Sequence, residues 1–232
     1  MSVGQSVSVR FHQPPEDLRR YFTTFYVTDF DPGEGARLRD SLHPEWAGMR
    51  FFSPRGPDAW TDAGLRVEGA AFQATGPTSH PIHFSMPKAR SWGFGFLPLG
   101  WARFVRQPAA EFANVICDGM TEPLCAPFVP LAQTLFGAEA NEQAELARII
   151  DFFRGFEGSD PADEARIVAI HTALVDTEVV TVCDLVSRVA ASQRTVERLC
   201  HRHFGFSPKL LLRRQRLDRK STRLNSSHRP LS

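Results

Sequence analysis

Six side chains within residues 193–202, Gln193, Arg194, Glu197, Arg198, His201 and Arg202, have the types and spacing needed to read a polyanion with ordered bases. An arginine fork matches the two acceptors on the major-groove edge of guanine. A glutamine amide can pair with adenine, and a carboxylate can accept from the cytosine amine. At helical spacing the six share one face. Gln193, Arg194, Glu197 and Arg198 are assigned to base edges of double-stranded DNA. His201 and Arg202, one turn further on, are placed near the sugar-phosphate backbone. A solvated basic helix on an ordinary helical pair would present the same face.

Other groupings point to less chemistry. His80 and His83 lie three apart in "SHPIHFSM", with no third ligand evident and Pro81 between them; a zinc site needs three or four ligands. Cys117, Cys125, Cys183 and Cys200 show no CxxC spacing, which favours free thiols in a reducing compartment. Cys200 and His203 read as a core cysteine and an exposed histidine. Asp160, Asp163 and Glu164 read as a solvated helix start. With no glycine-rich phosphate loop and no serine elbow, no residue is assigned a catalytic role, and neither cofactor nor metal is expected.

A reading face needs elements that hold it. Val196, Leu199, Cys200 and Phe204 recur at helical spacing behind the six polar residues, Ser192 is a good N-cap, and Gly205 supplies a left-handed stop. Immediately upstream, Val182, Leu185, Val186 and Val189 fall at i, i+3, i+4, i+7, with Thr181 able to cap. Two short helices joined by the "AAS" turn make a helix-turn-helix.

The rest of the chain is of different texture. Through about residue 105, short β-type runs ("QSVSVRF", "YFTTFYVTDF", "GMRFFS", "LRVEGAAFQA", "IHFSM", "SWGFGFLPL") alternate with Gly/Pro turn clusters, the pattern of a barrel or sandwich. One short helix is expected near "PEDLRRY". Beyond Pro108, "AAEFANVICDG", "PFVPLAQTLFG", "EQAELARIIDFFRGF" and "PADEARIVAIHTALVD" read as helical, the third with Leu146, Ile149, Ile150 and Phe153 as its stripe. Charge is partitioned: residues 1–180 carry 15 Lys/Arg against 23 Asp/Glu, residues 181–219 carry 9 against 3. A basic segment on an acidic body suits a polyanion-binding module joined to something else. No apolar run approaches the length of a membrane span, and the first residues lack the pattern of a secretory signal, so a cytoplasmic protein is expected.

The stretch "TVCDLVSRVAASQRTVERLCHRHFGFSPKLLLRRQRL" resembles the first helix-turn-helix of AraC/XylS-type transcription regulators. The resemblance is carried by Ser192, Arg194, Glu197, Arg198, Gly205, Ser207, Pro208 and Lys209, then Arg213 and Arg216. It departs at Val186, where a small residue is usual, and at Cys200, where Phe is common. It implies that Arg194, Glu197 and Arg198 face the major groove and that "PKLLLRRQRL" begins a linker helix toward a second reading unit. More weakly, "WGFGFLPLGWARFVRQPAAEFANVICDG" is similar to the end of an N-terminal sensor domain of that family, implying a small-molecule effector or a homodimer. Where that second unit is expected, residues 218–228 read "DRKSTRLNSSH", the in-frame translation of a common short-read sequencing adapter.

The expectation is an α+β chain: a β-rich, barrel-like sensor domain over residues 1–110, a helical connector over 111–176, the helix-turn-helix and start of a linker helix over 177–217, and a non-native tail over 218–232. The function expected is a sequence-specific DNA-binding regulator truncated after its first reading unit. With one unit, it would hold DNA weakly and chiefly through phosphates. The alternative is a small-molecule-binding or enzymatic β-barrel with a helical appendage.

Overall fold

In the computed structural model, which describes residues 6–216, β-structure comes first and helices follow: the chain is α+β. Among the described residues, ten strands form two antiparallel sheets. The larger joins β1 (Ser6–His12), β2 (Phe22–Asp31), β9 (Ala89–Phe96), β4 (Gly48–Ser53), β7 (Phe72–Thr75) and β10 (Ile116–Asp118) in that spatial order. The smaller joins β3 (Leu38–Leu42), β8 (Ile82–Met86), β5 (Asp58–Trp60) and β6 (Arg66–Val67). The edge strands do not pair across, so the barrel-like closure expected from the sequence becomes an open two-sheet sandwich. At two residues, β6 is too short to seam one side. On the other side β1 ends the large sheet with its own apolar residues exposed.

Period-two alternation sorts the large sheet into two faces. Phe25, Val27, Met49, Phe51, Phe72, Trp92 and Phe94 point to one side and are buried with helices behind them. Those helices are a short turn Pro98–Gly100 (α1) running into a π-helical turn Trp101–Val105, then α2 (Val129–Thr134) and α3 (Glu142–Arg154). Glu145 fastens α3 to the sheet. Only 1% exposed, it accepts from Arg90 Nη2 at 2.7 Å and Trp92 Nε1 at 2.6 Å. Burial would raise its carboxyl, but the Arg90 and Trp92 hydrogen bonds outweigh that and hold it below the usual carboxylate range.

A second core gathers α4 (Glu164–Val175), α5 (Val182–Val189), α6 (Gln193–Leu199) with the π-helical turn Cys200–Phe204, and the helix at 208–216 (α7) around Ile167, Ile170, Leu185, Val196, Leu199, Phe204 and Leu211. Leu99 of α1 joins it, so the two cores touch.

Two sequence readings need correction. "PEDLRRY" makes a single turn, with Leu18 and Arg19 donating to the Pro15 carbonyl, because β2 begins at Phe22 and leaves no length for a helix to propagate. In "AAEFANVICDG" only Ala109–Phe112 forms a 3₁₀ turn. Asn114 then takes φ +60°, and Ile116–Asp118 pairs with β7. The expected tail and the question of a second reading unit lie outside the described residues.

Candidate nucleic-acid interface

Helix α5 starts with a capping box. Thr181 Oγ1 accepts from the Asp184 amide at 3.1 Å, and Asp184 Oδ2 accepts from the Thr181 amide at 2.7 Å. The Thr181 hydroxyl and two backbone amides hold the Asp184 carboxyl below its ordinary range. Ala190, at φ +52°, turns the chain, and Ser192 caps α6 by accepting from the Thr195 amide at 3.2 Å. Val196, Leu199, Cys200 and Phe204 are fully buried beneath α6; burial pushes the Cys200 thiol up to about 12. Gly205 ends the unit at φ +84°.

Gln193, Arg194, Glu197, Arg198, His201 and Arg202 are all exposed. Gln193 Nε2 donates to Glu197 Oε1 at 2.9 Å, joining two of the four assigned base readers. No ion pair or hydrogen bond engages the guanidinium groups of Arg194, Arg198 or Arg202 among the described residues, so the three cations face outward. The arrangement can offer forked donors, an amide and a carboxylate to a groove without first breaking an arginine ion pair.

His203 does not share that face. It is 6% exposed, with Nε2 3.5 Å from Asp163 Oδ2 on the approach to α4. The reason is its spacing: it lies seven residues after Val196, four after Leu199 and three after Cys200, all buried, so it falls on the inner stripe with them. Burial lowers its imidazole's proton affinity, while Asp163 opposes the shift. His83, on β8, meets Ser41 Oγ at 2.8 Å and Asp62 at 3.1 Å, and His80 meets Ser79 at 3.1 Å.

Two features escaped the sequence reading. The first is Arg214 of α7, buried, with its guanidinium 4.0 Å above the Trp46 ring and Nη1 donating to the Thr78 and Glu45 carbonyls at 3.0 and 3.2 Å. Its position three residues after buried Leu211 was the available signal, since it places Arg214 on the inner stripe. The second is a cavity of about 340 Å3 between the sheets. Tyr26, Thr28, Arg50, Gln73, Thr75 and Ser91 of the large sheet form a polar floor. Ala59, Ile82, Phe84 and Met86 of the small sheet face them, and Val7, Val9 and Phe11 of β1 form a side wall. Period-two alternation sets the floor residues apart from the core face of their strands, but only the fold shows that the small sheet covers them.

No protein-family model matches the chain, and no curated protein does. Among solved structures, it is similar to the AraC-like transcriptional activator CuxR, at 14% identity over 92% of this chain and 86% of that one, with a TM-score of 0.34. It is also similar to ToxT from Vibrio cholerae O395, at 10% identity over 96% and 83%, with a TM-score of 0.40. Likenesses of that size carry no functional weight, which rests instead on the capped helix pair and its outward-facing residues.

Proposed function

We propose that this chain is a DNA-binding transcription regulator of the AraC/XylS type, with its two-sheet portion acting as a sensor of a small molecule. The observation that carries this reading is the polar face of α6. Four base-reading side chains of three types stand exposed on its first two turns, over a fully buried apolar row, in the second helix of a capped helix-turn-helix. Arg194 and Arg198 take guanine edges, Gln193 adenine, and Glu197 a cytosine amine. His201 and Arg202 contact phosphates.

The roles separate in an affinity measurement on a duplex selected from a random library at low ionic strength. Arg194→Ala or Arg198→Ala should each cost about 1–3 kcal/mol and relax preference at one base pair. Arg202→Ala should weaken all sequences alike and reduce the salt slope by about one. Uniform loss from all three substitutions would remove the base-reading assignment.

A further inference from the structure

The inter-sheet cavity has a distinctive balance of charge. Arg50 and Glu45 both line it and form an ion pair. Burial opposes the Arg50 charge, but Glu45 and Tyr26 outweigh it and keep the guanidinium protonated. Burial also raises the Tyr26 hydroxyl. The floor therefore offers hydrogen-bonding groups with no net charge to spare, and the remaining surface is largely apolar and rich in rings: Phe11, Phe30, Phe52 and Phe84. A charged guest would bring an uncompensated charge into this space or have to break the Arg50–Glu45 pair. Gly93 contributes to the shape. A Cβ there would meet the Tyr26 ring at 2.3 Å, so the glycine lets the ring lie flat over β9. At 70% exposure, Phe11 stands at the mouth.

The wall of this cavity is continuous with the seat of the reading unit. Glu45 faces the cavity, while its carbonyl accepts from Arg214 at 3.2 Å. The next residue, Trp46, packs its ring under the Arg214 guanidinium and against Phe204, with centroids 6.0 Å apart, at the end of the π turn that continues α6. Thr78 closes the loop by donating its amide to the Glu45 carbonyl at 3.0 Å. One peptide unit thus joins a cavity-lining carboxylate to the core that positions the reading helix.

We propose that the cavity binds an uncharged aromatic molecule with one hydrogen-bonding end, held against the Arg50–Glu45 pair, and that its occupancy shifts the reading unit through Trp46 and Arg214. This rests on the regulator reading for its consequence, not for the binding itself. The probes are 2-naphthol, 2-naphthoate and 2-naphthylmethylammonium, titrated into the full chain by calorimetry. 2-Naphthol should bind at least tenfold tighter than either charged analogue. Glu45→Gln, which leaves Arg50 without its counter-charge, should reverse the order in favour of 2-naphthoate. A charged probe binding best to the parent chain, or no 2-naphthol binding up to its solubility limit, would overturn the ligand class.

Transmission is read by amide hydrogen exchange, with no DNA present. Saturating 2-naphthol should change exchange at 43–47 and at 200–214 together; a change confined to the cavity strands would overturn the coupling. DNA retention is a separate assay, so loss of the regulator reading and loss of this inference are distinguishable. Where both hold, the ligand should alter DNA affinity by about 5- to 150-fold, and DNA should alter ligand affinity by the same factor.

Discussion

Gly205→Ala tests how firmly the reading unit is seated on the sandwich. Gly205 sits at φ +84°, and a Cβ there would lie 2.9 Å from Pro77 Cγ and 3.2 Å from the Ala109 carbonyl oxygen. The left-handed backbone alone costs a non-glycine residue about 1–2 kcal/mol. The contact adds about 1–3 kcal/mol, because a proline ring and a backbone carbonyl cannot swing aside as a flexible side chain would. Gly33 provides the control: its φ is +93°, but nothing lies within 4 Å of an added Cβ, so Gly33→Ala should show the backbone cost alone. Urea unfolding of both variants, with unchanged m-values, should place Gly205→Ala lower in midpoint by the contact's share. Equal midpoints would refute the reasoning, showing that Pro77 and Ala109 yield freely and that the reading unit is not held against them.

Further outcomes follow from the same contacts. Glu145→Gln should destabilise by about 3 kcal/mol, since it leaves Arg90 and Trp92 facing an amide in a buried site. Because the folded-state proton affinity of Glu145 is depressed, the parent's advantage over this variant should be full above the unfolded carboxyl value of about 4.3. It should shrink as pH falls through the folded one; a gap independent of pH in acid unfolding would contradict this. Leu199→Ala, at a fully buried site under α6, should cost about 2–5 kcal/mol in urea unfolding. Ser192→Ala should cost about 1 kcal/mol and speed exchange of the Thr195 amide, its capped partner.

Legibility in the sequence followed how local each determinant was. β4 and β8 coincide with "GMRFFS" and "IHFSM" because alternation and flanking turns define them without help. The caps Thr181 and Ser192 and the stop at Gly205 were readable because capping is a contact within four residues. β3, with the polar text "LRDSL", and three-residue β5 and β10 carry too little pattern to stand alone; pairing with β8 and β7 makes them strands. Buried charges were the hardest to find. Glu145 lies on the inner stripe with Ile149 and Phe153, but only the fold brings Arg90 and Trp92 to it, from more than fifty residues away. Arg214 is the same case, since its partners Glu45 and Thr78 belong to the sandwich. All six polar residues assigned to the reading face are exposed, whereas His203 is buried: its spacing from Val196, Leu199 and Cys200 placed it on the inner stripe, and its polar type alone had suggested exposure.

The central claim is that the exposed face of α6 reads base sequence. Selection of duplexes from a random library at low ionic strength, run in parallel with the parent chain and with Arg194→Ala/Arg198→Ala, tests it most directly. The parent should enrich a shared short motif containing guanine, and the double variant, folded with an unchanged urea midpoint, should enrich none while keeping salt-sensitive binding to any DNA. The same motif emerging from both proteins would contradict the account.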